Sequence, residues 1–522
     1  MSAGGGIPAR AAAFVLAVLT AMAPVLATVC YLSWFHQASL FDHIPLMSDS
    51  MDYWHEIKSF LAVGLDSGYY GYEELHAPLG RFGAHGPWYP ILMGLVGRIS
   101  GFPLTGIPVI HLGFLATCIL VYMALARPRA SQCLFLLTFT LTYPPMFFWG
   151  PFSMQESLHM ALGIAMAGLT DLLVRRYRDG ALTAAIRITF LCCVVFASLL
   201  RFTWVLLVIP LILASFKNTR KGWLLSLAQF AGIFLVLQYF GATLVQAPFP
   251  YFDTGIGKAL HGDFEVLGKR ITYNLHGLFL DLQKDPASWM FTMRYQILAF
   301  LSVPVLATLL ARGAMSPQRG RSGRMLWLLE LFPTFFLAAS IAMVFAFYLT
   351  NDIFILKIIV PVFVFGVFYS VRFVPVRWLW ALVLVNVLSL PSALGLSVQA
   401  HTGSFDRVGT TRALIDGFTQ RVAPYLVHSP GAQPWCNTLV ISSYQVEILG
   451  VPPGFGLNFV SDYQKFPGPL RSRFLLAPPG ADLSGLSGKA DLEELAITTA
   501  GTLYRNRLAE CGGARPAQDS AP

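Results

Sequence analysis

PWYPILMGLVGRIS, residues 87–100, is apolar enough to enter a membrane and shorter than the ~20 residues needed to cross one. It carries Pro87 and Pro90 and contains Arg98. The direction of every later helix depends on how this stretch is read. As a full span it would send the basic loops that follow to the outside. As a helix half-embedded in the outer face it leaves them in the cytosol.

The loop charges decide between the two. RPRA (127–130), RRYRDG (175–180), KNTRKG (217–222), RGAMSPQRGRSGR (312–324) and RFVPVR (372–377) hold fourteen Arg or Lys and one acid, Asp179. Segment 36–102 holds three basic residues and seven acids. Basic residues collect on the cytosolic side of membrane proteins. The N-terminus is therefore expected inside, with 87–100 as an outer juxtamembrane helix. Eleven apolar runs remain as candidate spans: 11–35, 103–126, 131–149, 155–174, 182–200, 202–216, 223–247, 290–311, 325–349, 355–371 and 378–398. The fold class expected is a polytopic α-helical membrane protein with about 11 transmembrane helices. The first run is too long for a signal-peptide core of ~7–15 residues and reads as an uncleaved signal anchor.

Composition agrees. Of 522 residues 55% are hydrophobic and 12% charged, with a mean hydropathy of +0.61, far too apolar for a soluble chain. The net charge of +9 sits in short clusters between apolar runs, which orients helices and does not point to nucleic acid.

With this orientation the long hydrophilic pieces share the outer side: a first loop 36–102, a second loop 248–289, the turn 348–354 and the C-terminal region. Residues 1–400 form the membrane domain, 401–511 a small soluble α/β domain, and 512–522 a disordered tail. Segments 437–449 and 471–478 read as strands, and 491–511 as a helix. Five of the seven cysteines lie in apolar runs. Cys436 and Cys511, both in the C-terminal domain, are either a disulfide or two unrelated thiols.

Chemistry-bearing residues cluster on the outer side. SDSMDYWHEI (48–57) opens an amphipathic helix over 51–64, with Asp49 and Asp52 at its start. A helix N-terminus keeps such carboxylates ionised, as a general base or a metal ligand requires. An N-cap and a first-turn acid would explain them equally well. Glu156 heads the fourth span, where an ionisable group is costly enough to imply a paired or functional role, or else a partner for the helix dipole. His85, Arg81, Arg201, Lys258, Lys269, Arg270 and Lys357 are cations of the same side, although Arg201 and Lys357 could simply snorkel to the interface. Together they suit one reaction. A carboxylate, Asp49 or Asp52, takes a proton from an acceptor hydroxyl, while Arg201, Lys269, Arg270 and Lys357 stabilise a phosphate leaving group tethered to a polyprenyl lipid.

The order of these motifs resembles the GT-C glycosyltransferases, among them the protein mannosyltransferases and the aminoarabinose transferases of bacteria. Asp49-Ser50-x-x-Tyr53 is similar to the family's Asp-Glu-x-x-Tyr, and His85-Gly86-Pro87-Trp88-Tyr89 to its His-Pro-Pro-Leu-Tyr. YPPMFFWGPFSMQESLHMALGIAMAG (143–168) is similar to its Pro-Pro segment and acid-headed helix, and NDIFILKIIVPVF (351–363) loosely to its late Arg-Tyr span, with Lys357 in place of Arg. The likeness covers about residues 11–400. It implies an inverting transfer from a polyprenyl-phosphate-linked sugar to a glycan, lipid or protein acceptor at the periplasmic face of the bacterial inner membrane. It also implies catalytic roles for Asp49, Asp52 and Glu156, and substrate contacts for Tyr53, His85, Trp88 and Tyr89. A divalent metal, Mg or Mn, is left open. Ser50 and Gly86 stand where the family often has Glu and Pro, which leaves Asp49 and Asp52 both in contention as the base.

Two other classes compete. A transporter or flippase would show polar or broken helices at the midplane and repeated halves. This chain shows no internal repeat, and its few interior charges, Arg187, Arg294 and Glu330, lie mostly near span ends. A polymerase or ligase of lipid-linked glycans would rest on outer-loop Arg and His instead of a first-loop acid.

Overall fold

A computed structural model describes residues 7–46, 48–66, 71–75, 77, 82–83, 85–101, 104–215, 220–247, 258–259, 261–284, 321–347, 358–466 and 468–511. The chain divides into two compact units, one comprising 1–43, 108–237 and 253–402, the other 44–107, 238–252 and 403–522.

The first unit is helical. Among the described residues three helices are long and apolar enough to cross a membrane: α1 (Ile7–Phe35), α4 (Ile107–Ala126) and α7 (Glu156–Arg178). α14 (Val376–Phe405) would be a fourth if its two halves, bent by 52° next to Pro391, count as one span. Run 325–349 lies almost wholly in one continuous helix, Arg321–Phe347, whereas three other apolar runs are broken where the sequence predicts a single span. Pro144 and Pro145 lack the N–H groups that would continue α5 (Ala130–Thr142), so run 131–149 breaks and α6 (Pro144–Trp149) starts afresh. Run 202–216 becomes a 3-10 turn, Phe202–Leu207, followed by α9 (Val208–Ser215). Run 223–247 becomes α10 (Arg220–Tyr239) and a π-helical turn, Phe240–Val245. The unit also holds α8 (Ala184–Leu200), α11 (Glu265–Lys284), α12 (Arg321–Phe347) and α13 (Ile359–Ser370). The candidate span 290–311 and the turn 348–354 lie outside the described residues.

α7 is the axis of this unit. Leu158, Met160, Ala161, Ile164, Ala167, Leu173 and Val174 are all buried, so the helix is covered around its circumference. Gly163 allows α13 to approach, since a Cβ there would lie 2.6 Å from the Pro361 carbonyl oxygen and 3.2 Å from the Trp204 ring. The periphery is the reverse. Phe14 and Leu26 on α1, Leu224 and Val236 on α10 and Leu384 on α14 are exposed, as side chains facing lipid would be.

The second unit is built on a six-stranded sheet of order β1-β3-β2-β4-β6-β5, comprising β1 (Gly71–Tyr72), β2 (Thr438–Ile441), β3 (Gly456–Phe459), β4 (Phe474–Ala477), β5 (Leu492–Thr498) and β6 (Gly501–Asn506). β1 to β4 are parallel neighbours and β5–β6 an antiparallel hairpin. One sheet face packs Leu439, Leu457 and Leu476 against Phe418 and Val422 of α15 (Val408–Val422). Val440 and Leu475 on the other face meet Val460, Tyr463 and Phe466. β1 comes from segment 36–102, so that segment and the C-terminal domain share one sheet.

Segment 491–511 is a hairpin and not the helix its sequence predicts. Ile497, Thr498 and Thr499 favour extended backbone, and Gly501, at φ 130° with a Cβ position 2.0 Å from the Ala477 carbonyl oxygen, turns the chain where no other residue fits. Cys436 and Cys511 are joined by a disulfide. The tail 512–522 lies outside the described residues.

Candidate functional site

In the second unit the first-loop acids sit on α2 (Ser48–Val63), which packs against α3 (Trp88–Ser100), the stretch quoted at the outset. α3 has 13 residues, too few to cross a bilayer. Asp49 occupies the first turn of α2, with a side chain 26% exposed and His85 Nε2 4.0 Å from its Oδ1. The Tyr53 ring meets His85 edge-on at 5.1 Å and Tyr89 at 4.9 Å. Trp88 lies 6.1 Å from Phe240. Asp49, Tyr53, His85 and Tyr89 are thus contiguous. Asp52 differs from Asp49, being 3% exposed and accepting a hydrogen bond from the Tyr444 hydroxyl at 3.3 Å.

A separate face of α2 is anchored to the stretch 449–455 that leads into β3. Lys58 donates to the carbonyls of Leu449 and Val451 at 2.9 and 2.6 Å, and His55 Nε2 donates to Phe455 O at 2.6 Å. Burial holds the His55 imidazole down at about 3 and the Lys58 ammonium down at about 8. Burial also raises the Glu56 carboxyl to about 8, partly offset by the Gly83 N–H that donates to its Oε1 at 2.6 Å. Glu56 is therefore mostly protonated at neutral pH and holds the chain at residue 83.

In the first unit Glu156 opens α7 and Arg201 follows α8. Arg201 Nη2 donates to Glu156 Oε1 at 2.8 Å, with side-chain exposures of 16% and 3%. The second atom of each group is unsatisfied, since Glu156 Oε2 and Arg201 Nη1 are buried with no hydrogen-bond partner among the described residues. One turn further, His159 Nδ1 accepts from Trp204 Nε1 at 3.2 Å. The segment leading into Glu156 is fastened by histidines. His401 Nε2 donates to Phe148 O at 3.0 Å, which leaves its Nδ1 to accept from the Tyr31 hydroxyl at 2.8 Å. His111 Nδ1 donates to Phe152 O at 3.3 Å, and His43 Nε2 meets Ser153 Oγ at 3.1 Å.

Sequence reasoning passes over these histidines. The signal was present, since a polar ring in or beside an apolar run must find a partner. Lys269 and Arg270 lie on α11, where Lys269 pairs with Glu265 one turn away and is 75% exposed, the pattern of a solvated helix face. Lys357 and Arg81 lie outside the described residues. Among the described residues no three His, Cys, Asp or Glu side chains converge as a metal site would need.

No protein-family model matches the chain, and no curated protein does. Among solved structures it is similar to crystal structures of the Archaeoglobus fulgidus oligosaccharyltransferase. The structure tethered by a disulfide to an acceptor peptide containing the NVT sequon aligns at 10% identity and a TM-score of 0.44 over 87% of this chain. The chain spans 64% of that protein's length. The apo structure aligns at 11% identity and a TM-score of 0.48, over 96% of this chain and 75% of the other. Likeness at that level assigns the chain to no family.

Proposed function

We propose that the protein is a membrane glycosyltransferase of GT-C type that moves a sugar from a polyprenyl-phosphate-linked donor to an acceptor hydroxyl on the outer, non-cytosolic face. One observation carries the reading: a carboxylate–guanidinium pair, buried Glu156 and largely buried Arg201, in which each group keeps one buried polar atom without a hydrogen-bond partner among the described residues. Buried polar atoms are normally satisfied, so such a pair is suited to a ligand that both accepts and donates, such as a sugar phosphate.

Each residue then has a role. Arg201 Nη1 donates to the phosphate of the donor and stabilises the charge that forms there. Glu156 holds the guanidinium in place. Asp49 is the base in this account, because it is the accessible carboxylate of α2 while Asp52 is enclosed beneath Tyr444. It takes the proton of the acceptor hydroxyl as that oxygen bonds to the anomeric carbon. The carbon–oxygen bond to phosphate breaks on the opposite side, its electron pair stays on the phosphate oxygen, and the configuration inverts. Tyr53, His85 and Tyr89, contiguous with Asp49, and Trp88, next in the chain to Tyr89, form the sugar-binding or acceptor-binding wall in this reading. The disulfide in the C-terminal domain supports an oxidising, periplasmic location.

The test is a mass-spectrometric comparison of glycolipids and glycoproteins from the source bacterium with the gene deleted, restored, or restored as Asp49→Asn. One glycan should lack a sugar in the deletion and in the Asn strain, and regain it in the restored strain. Identical glycans in all three would reject the proposal.

A further inference from the structure

At the other end of α7 from Glu156, about 22 Å along the helix axis, a polar cavity of about 290 Å³ opens in the helical unit. It gathers residues from three loops that the charge pattern places in the cytosol. Arg127 and Arg129 come from the α4–α5 turn, Asp171 and Arg175 from the last turns of α7, and Arg372 from the turn after α13. Four arginines surround one carboxylate.

That carboxylate is already committed. Asp171, 5% exposed, accepts from Arg175 Nε at 2.8 Å and also from Arg372. Arg127 and Arg129 have no carboxylate partner among the described residues. Both are exposed at the mouth of the cavity, where they set up a positive field that attracts an anion from outside the chain. The carbonyls at the helix ends, which would oppose an anion, are covered from within. Tyr122 donates to Phe368 O at 2.7 Å, Gln132 to Val371 O at 2.6 Å, and Arg175 to Leu125 O. Tyr122 and Gln132 line the same cavity with their protons turned to those carbonyls, so the donors left for an anion are the guanidinium groups.

We propose that this cavity binds a phosphate anion, carried either by an anionic phospholipid headgroup of the cytosol-facing leaflet or by a soluble phosphate ester. Arg–phosphate pairs are strong and often bidentate, and basic pockets between membrane helices on that side suit lipid headgroups. The site stands apart from the Glu156–Arg201 pair, and its occupancy does not depend on the transferase reading.

The experiment uses the full chain in neutral detergent and reads apparent affinity from thermal-shift titrations. Phosphatidylglycerol is the lipid probe, phosphatidylcholine its zwitterionic control, and glycerol 3-phosphate the soluble probe. Saturable stabilisation by phosphatidylglycerol alone assigns the site to the headgroup; stabilisation by glycerol 3-phosphate shows that the phosphate group suffices. In either case Arg127→Gln/Arg129→Gln should weaken binding about tenfold or more, while Arg178→Gln, outside the cavity, should not. High salt should weaken wild-type binding as well, a readout that survives poor folding of the double variant. The proposal is overturned if neither phosphatidylglycerol nor glycerol 3-phosphate stabilises, if phosphatidylcholine does as well, or if binding ignores both salt and the two arginines.

Discussion

Arg201 Nη2 lies 2.8 Å from Glu156 Oε1 and ties the end of α8 to the start of α7, while Arg201 Nη1 and Glu156 Oε2 stay buried without a hydrogen-bond partner among the described residues. Such a pair contributes to folding only while both members are present. Removing one leaves a buried charge, at a cost of about 3 kcal/mol or more. Glu156→Ala should therefore lower the thermal midpoint of the protein in detergent clearly, and Glu156→Ala/Arg201→Met should recover part of the loss. Equal destabilisation by single and double variants would show that the two groups are not coupled in the folded state.

Gly163 carries the close approach of α7 and α13. A methyl group 2.6 Å from Pro361 O must push the helices apart, so Gly163→Ala should cost about 1–3 kcal/mol. Gly232 on α10 has nothing within 4 Å of the same position, and Gly232→Ala should be neutral or stabilise by up to about 1 kcal/mol. Thermal unfolding of the two variants in parallel checks the contrast.

Glu56 gives the second unit a pH signature. Its folded value of about 8 lies above the ordinary carboxylate value of 4.5, so the folded state holds the proton more tightly than the unfolded one. This contribution is fully present below pH 4.5, declines as pH rises, and is lost above about 8. Glu56→Gln keeps an oxygen for the Gly83 N–H and does not ionise. The variant should gain on wild type progressively between pH 5 and pH 8, by several kcal/mol in all. Denaturant unfolding at three pH values measures it, and a pH-independent difference would contradict the buried protonated carboxyl.

The Cys436–Cys511 disulfide closes a loop with a sequence separation of 75, for which loop entropy implies about 4 kcal/mol. Cys436→Ser/Cys511→Ser should unfold the sheet unit at lower temperature. Neither cysteine should take a thiol label in unreduced membranes.

How far these features were legible in the sequence varied with the physics behind them. Charge asymmetry depends on totals, so RPRA, RRYRDG and RFVPVR could be placed on one side, and the structure brings Arg127, Arg175 and Arg372 to one cavity. The helix over Asp49 and the short helix beginning at Trp88 follow from spacing and length, and both are present. Hydropathy failed where backbone chemistry overrides it, as at Pro144–Pro145, which split one apolar run into two helices. The hairpin at 492–506 was hidden because Leu492, Leu495 and Ala496 lie at helical spacing, i, i+3 and i+4, and only the tight turn at Gly501 decides. The pairing of Glu156 with Arg201 joins residues 45 apart in the chain, and no local pattern announces it.

The central claim is that this chain consumes a lipid-linked sugar. The most direct test incubates the purified protein with a lipid extract of its own membranes and quantifies polyprenyl phosphate released over time. Wild type should release it. Asp49→Asn should slow release by about 10² to 10⁴-fold, and Arg201→Gln should slow it strongly as well, with both variants still inserted in the membrane fraction. Release at the wild-type rate by both variants, or no release by wild type, would contradict the account.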